Sequence, residues 1–272
     1  MKVEEIILNR IINAMENGII PWRKPWQSRL PCNFITKRQY NGINLFLLAL
    51  NPFSSPYWLT FKQAKESGGN VLKGEKGTPI IFWKFSKVTD KNGAEKTIPF
   101  LKYYTVFNLE QTDIEYTEEN QLDFNPIESA ENFSIDFLSR ESIEIKPSQR
   151  ACYHPLFDHI EMPKKESFLS VESYYATLFH EMAHATGHKS RLNRLESASF
   201  GSEPYAKEEL IAELASAFAC AENGIDNTVE NSAAYIQGWM KRIKEDPKLL
   251  ISASAKANKA FQWMKESKVE YA

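Results

Sequence analysis

The 272-residue chain is 43% hydrophobic and 25% charged, which fits a folded globular protein and excludes an intrinsically disordered one. No apolar run reaches the ~20 residues that span a bilayer, and three scattered cysteines with no Cys-x-x-Cys exclude a disulfide framework and a thiolate zinc site. A net charge of −2 hides an asymmetry: residues 1–108 hold 16 Lys and Arg against 7 Asp and Glu, and residues 109–272 hold 17 against 28. A basic half beside an acidic one points to a polyanion such as nucleic acid, or merely to two soluble units of different charge. The charged N-terminus lacks the apolar core and cleavage site of a signal peptide, so a cytoplasmic protein with no membrane partner is expected.

Val3, Ile6, Ile7, Ile11 and Ile12 recur at helical spacing, and Gly18 suits a helix stop, so residues 3–17 read as a helix. Short helices follow around Leu45–Leu50 and Thr60–Ser67. Thr78–Val88 and Ile98–Asn108 are rich in β-branched and aromatic residues, and Asn92-Gly93 between them favours a tight hairpin turn. Residues 1–108 therefore read as a small α+β domain. The acidic, Pro126-containing stretch 109–131 reads as a linker, and residues 132–272 as a second, mostly helical domain with a short sheet. Within it, Asp158–Pro163 could be an edge strand that pairs with a peptide. Ser170 can cap a helix running to about Gly187, and helices are expected over about 204–222, 230–245 and 247–266.

All five histidines fall between His154 and His188. His180-Glu181-Met182-Ala183-His184 places two imidazoles one helical turn apart on one face, where both can bind one zinc ion or another divalent metal. Glu181 lies between them, where it can accept a proton from a metal-bound water. A catalytic zinc takes a third protein ligand and keeps one position open. Glu209 and Glu213, four apart on the helix after it, share a face and are candidates, while Glu208 faces elsewhere. An ordinary exposed acidic face is the alternative. His188, a further turn along, competes as a ligand or sits near the site without ligating.

The basic half interleaves cations with aromatics: Trp22, Arg23, Lys24 and Trp26; Lys37, Arg38 and Tyr40; Trp58 with Lys62; Trp83 with Lys84. Lys73 and Lys76 sit on a glycine-flexed turn. Aromatic faces stack on bases and cations neutralise phosphates, but the same residues serve equally as core and solvated surface.

The acid pair resembles that of thermolysin-class zincins, which implies Glu209 as the third ligand and Glu213 as the acid supporting a zinc histidine. Longer motifs extend the likeness over nearly the whole chain: Pro21-Trp22 to Pro25-Trp26, Tyr40-Asn41-Gly42-Ile43-Asn44, Trp58 to Ala64, Lys73-Gly74-Glu75-Lys76-Gly77, Thr186 to Arg194 and Glu208 to Leu214. The chain resembles the ArdC-type antirestriction proteins of conjugative plasmids and other mobile elements. That resemblance implies an N-terminal single-stranded-DNA-binding domain, with Asn44 among its candidate contacts, and a C-terminal zincin-like metallopeptidase domain. It implies a role in protecting incoming DNA from restriction. Two readings follow: a DNA-tethered peptidase acting on a protein substrate, or a DNA-binding protector whose metal domain is structural, regulatory or partner-binding.

Overall fold

The computed structural model describes residues 3–23, 30–89, 95–116, 125–195, 203–225 and 233–266. Helix α1 (Val3–Glu16) buries Ile7, Ile11 and Met15 along one stripe, and Gly18 takes the positive φ of 78° that turns the chain away. Strand β1 (Cys32–Asn33) precedes α2 (Ile43–Ala49), whose residues 43–48 are all buried. Strand β2 (Tyr57–Leu59) leads into α3 (Phe61–Glu66), started by a reciprocal cap between Thr60 and Gln63.

The long strands β3 (Thr78–Thr89) and β4 (Glu95–Asn108) form an antiparallel arm, in register from Thr78 with Val106 to Thr89 with Glu95. The expected turn at 90–93 lies outside the described residues. The sheet order is β1-β2-β4-β3, with β1 parallel to β2 and the other pairs antiparallel. Asn44 of α2 pins the helix to this sheet. Its side chain donates to the Ile81 carbonyl (2.7 Å) and accepts the Ile81 N–H (2.8 Å), which satisfies a buried amide.

Both ends of the expected linker differ from the sequence reading. Leu109, Gln111 and Thr112 are buried, the Asn70 N–H donates to Asp113 (2.5 Å), and Tyr116 packs edge-on against Tyr57 at 5.1 Å. Residues 109–116 are thus folded back on the first sheet. Helix α4 (Pro126–Glu141) then starts inside the stretch expected to be a linker. The proline occupies the first turn, where its missing N–H costs nothing, and Asn125 accepts the N–H groups of Ile127 and Glu128.

Strands β5 (Glu144–Pro147), β6 (Cys152–His154) and β7 (His159–Met162) form a second sheet in the order β5-β7-β6. This corrects the edge-strand expectation. β7 is central, parallel to β5 and antiparallel to β6, so it has no side left for a peptide. The free edge beside it belongs to β6. Pro155 lies in the β6–β7 connection rather than inside a strand, and Asp158 turns the chain at φ 50°.

Helix α5 (Val171–Ala185) is capped by Ser170, which accepts the Ser173 N–H; α6 (Glu203–Glu222), α7 (Ala233–Glu245) and α8 (Pro247–Lys265) complete the described fold. One apolar core runs through both halves of the sequence. Trp22 meets Phe46 of α2 edge-on at 6.2 Å, Phe46 stacks on Phe218 of α6 at 4.9 Å, and Phe218 meets Phe261 of α8 at 6.1 Å. The architecture is the α+β class read from the sequence. Among the described residues no helix is long and apolar enough to cross a membrane.

Because this aromatic row joins the halves, Phe218→Ala should destabilise the whole chain by about 3–5 kcal/mol. Calorimetry should record one unfolding transition that moves as a unit. Two transitions, of which only one shifts, would contradict a shared core.

Candidate metal centre

Helix α5 presents His180 and His184 on one face, and α6 packs against it with Glu209 opposite. The two Nε2 atoms lie 3.1 Å apart. Glu209 Oε2 is 3.5 Å from His180 Nε2, and Glu209 Oε1 is 3.6 Å from His184 Nε2. A tetrahedral ion with ligands at ~2.0–2.1 Å holds their atoms about 3.3 Å apart, so the three side chains fit one such ion. They line a cleft of about 680 Å³ together with Tyr153, Glu181 and Tyr205.

Electrostatics agree with a site that holds charge. Burial pushes the Glu209 carboxyl up, but His180, His184 and the Tyr205 hydroxyl outweigh it and bring it down to about 2. Burial pushes His180 down, yet Glu209, Glu181 and Glu213 hold it above the usual imidazole value. Burial and the neighbouring Glu209 carboxylate push the Tyr205 phenol up to about 12, so it remains a donor at neutral pH.

Glu181 is 7% exposed, and its Oε2 accepts the Tyr153 N–H from edge strand β6 at 2.8 Å. That bond fixes the carboxylate plane and uses one oxygen, leaving the other for a proton.

Glu208, expected to face elsewhere, also reaches the site. Glu208 Oε1 lies 3.3 Å from His184 Nδ1, while Arg194 clasps the same carboxylate with Nε and Nη2, both at 3.0 Å. Arg194 also donates to Thr186 Oγ1 (2.7 Å) and to the Ala183 carbonyl, anchoring itself on the last turn of α5. A two-pronged guanidinium pair draws Glu208 inward, where it can orient His184. Glu213 accepts the Trp22 indole N–H at 3.2 Å and lies near enough to His180 to help hold its imidazole above the usual value. His188 is not in the cluster. Its Nδ1 lies 2.7 Å from Ser190 Oγ and 3.9 Å from Asp158. Arg191 secures that corner by donating to Asp158 (3.1 Å), the Tyr153 hydroxyl (3.1 Å) and the Ala185 carbonyl (2.7 Å). Sequence reasoning missed Glu208, Tyr205, Arg191 and Arg194. The clustered arginines just past the His-Glu-x-x-His helix were the available signal.

The expected DNA-contacting residues divide by burial. Trp22, Tyr40, Asn44 and Trp58 are at most 8% exposed. They are corrected to core positions, because a base cannot stack on a buried ring. Lys37, Arg38, Lys62, Lys73, Lys76 and Lys84 are exposed. The side chain of Arg23, and Lys24 and Trp26, lie outside the described residues. On the β3–β4 arm, Phe82 (45%), Tyr103 (52%) and Tyr104 (47%) are exposed beside Lys84 and Lys102, a set the sequence reading did not single out.

Comparison with known proteins follows the same division. Residues 1–107 match the family model described as the N-terminal domain of the anti-restriction factor ArdC, and residues 130–256 match that of a zincin-like metallopeptidase. The crystal structure of metal-free antirestriction ArdC from plasmid R388 is similar over 100% of both chains, with 36% identity and a TM-score of 0.82. Its Mn(II)-bound structure aligns with a TM-score of 0.79. Two DNA primases TraC of Escherichia coli are 39% and 37% identical over 94% and 96% of this chain. The chain spans only 26% and 20% of their length. An uncharacterized protein, y4eC, of Sinorhizobium fredii is 32% identical over 96% of this chain and 91% of its own length.

The Glu208–His184 contact makes a discriminating test. Glu208→Gln should weaken metal affinity about 10–100-fold, the usual scale for a residue that orients a ligating histidine. Glu203→Gln, on the exposed first turn of the same helix where the carboxylate pairs with Lys207, should leave it unchanged. Competition with a metallochromic chelator measures both, and the opposite order would refute the assignment.

Proposed function

The chain belongs to the ArdC family of antirestriction proteins, and on that premise we propose that it binds single-stranded DNA through its basic half and carries a zinc-dependent metallopeptidase-type site between α5 and α6. The observation that carries the peptidase reading is the convergence of His180, His184 and Glu209 at ligand spacing, with Glu181 beside them, buried and held by one oxygen. Zinc is the assigned ion, since two imidazoles and a carboxylate are its usual catalytic ligand set; the Mn(II)-bound relative supports a divalent ion in this family. When bound, such an ion acidifies a coordinated water and polarises a carbonyl oxygen.

The protein's own groups do the rest. His180, His184 and Glu209 hold the ion. Glu208 and Arg194 orient His184. The free oxygen of Glu181 accepts the proton of the attacking water and can pass it to a leaving amine. Tyr205 donates to Glu209 and steadies the third ligand.

For DNA, exposed Phe82, Tyr103 and Tyr104 offer stacking faces on an arm that also carries Lys84 and Lys102, and Lys73 and Lys76 extend the positive surface. The basic unit (1–108), the acidic connection (109–131) and the metal unit (132–272) remain the proposed functional division, although their cores are continuous.

One observation favours the second reading, a protector that cleaves nothing. Strand β6, the sheet edge beside the cleft, is three residues long, and its Tyr153 N–H is already taken by Glu181. A peptide laid there would have few backbone groups to bond.

Glu181→Gln separates the readings. It should keep metal and DNA binding and lose protein cleavage by about a hundredfold or more. Undiminished cleavage in the variant would refute Glu181 as base. Equal protection of DNA by both forms, with no protein cut by either, would establish the protector. In the intact chain, Phe82→Ala with Tyr104→Ala should weaken single-stranded DNA binding by roughly 1–3 kcal/mol per lost stack, and binding should fall steeply with salt. Fluorescence anisotropy checks both, and unchanged affinity would remove the arm from the interface.

A further inference from the structure

The second sheet turns one face to α5, burying Tyr153, Ile160 and Met162. Alternation along the strands then puts His154 of β6 with His159 and Glu161 of β7 on the opposite face. His154 and His159 are directly paired across the strands. Their rings stack with centroids 4.8 Å apart and planes 23° from parallel. His154 Nε2 lies 3.3 Å from Glu161 Oε1, and His159 Nε2 lies 3.9 Å from the same oxygen. One ligand atom from each of the three residues falls within 4.8 Å of the other two.

Two features of this trio are unlike a surface cluster. His159 is only 8% exposed, so the site is built into the sheet rather than laid on it. His159 Nδ1 is buried with no hydrogen-bond partner among the described residues, and His154 Nε2, buried too, has only the Glu161 carboxylate at 3.3 Å. Buried polar atoms are nearly always paired, and each exception asks for a missing partner. A cation shared between two neutral imidazoles and a carboxylate satisfies all three at once.

From this we propose a second metal site, on His154, His159 and Glu161, separate from the α5–α6 centre. Two nitrogens and one oxygen suit a borderline divalent ion such as zinc or nickel, and do not suit magnesium or calcium, which take oxygen ligands. The His154–Glu161 separation of 3.3 Å already matches an occupied tetrahedral site, and small side-chain rotations bring His159 in from 3.9 Å. Both centres border β6. The strand whose Tyr153 N–H holds Glu181 is the strand whose His154 would hold the second ion. An ion there cross-links β6 to β7 and fixes the strand that orients Glu181.

Metal stoichiometry tests this without reference to any activity. The full chain is stripped with chelator, dialysed and titrated with zinc by calorimetry, with bound metal measured by mass spectrometry. Wild type should bind two equivalents. A His180→Ala/His184→Ala chain should bind one, and that one should vanish on adding His154→Gln or Glu161→Gln. In the otherwise unchanged chain, His154→Gln, at a partly exposed position, should remove one equivalent and keep the other, which also reports that the variant folds. If the α5–α6 centre alone fails, wild type binds a single ion that His154→Gln abolishes. The proposal is overturned if the His180→Ala/His184→Ala chain binds no zinc while its circular dichroism matches wild type, or if its bound ion survives His154→Gln with Glu161→Gln.

Discussion

Four carboxylates, those of Glu181, Glu208, Glu209 and Glu213, converge on two half-buried imidazoles. Charge held away from water is tolerated only where each group has a partner, and every one of the four has a different one. Glu208 has the Arg194 guanidinium, Glu213 the Trp22 indole, Glu181 the Tyr153 amide, and Glu209 the histidines and Tyr205. These partners come from five separate parts of the chain: α5 itself, the loop after it, the segment after α1, the edge strand β6 and the first turn of α6. The division also sorts the acids by role. An acid paired with arginine can polarise a histidine, an acid on a lone N–H keeps an oxygen free, and an acid facing the imidazoles can ligate.

The same pairing explains why the two sequence halves are one folded body. Trp22 reaches across to Glu213 and also opens the row of rings from Phe46 through Phe218 to Phe261. A basic half that were only tethered would not supply a partner to an acid next to the metal ligands. Ile80, Ile81 and Val106 root the β3–β4 arm in that core, and the arm's exposed aromatic and lysine side chains are the surface on which the DNA proposal rests.

Much of the metal centre was legible because a helix converts spacing into direction. Two histidines four apart share a face whatever the rest of the fold does, and the capping serine at 170 fixed the helix start. The acids of α6 were less legible. The helix is buried over most of its circumference, so hydrophobic periodicity could not say which of Glu208, Glu209 and Glu213 faced α5. The deciding partners, Arg194 and Trp22, are distant in sequence. Aromatic residues beside cations were ambiguous for a similar reason. Trp22 and Trp58 went to the core, while Phe82 and Tyr104 stayed outside, and local composition does not separate the two outcomes. The acidic composition around Pro126 favoured a linker, but a proline directly after a capping residue such as Asn125 starts a helix.

The central claim is that α5 and α6 hold one divalent ion between His180, His184 and Glu209. Anomalous diffraction at the zinc absorption edge from zinc-loaded crystals of the intact protein tests it most directly. The account predicts a peak at ~2.0–2.2 Å from both Nε2 atoms and the Glu209 carboxylate, with Glu181 outside bonding distance. A zinc-loaded crystal with no peak between these three residues, or with Glu208 or Glu213 as the ligand in place of Glu209, would contradict it.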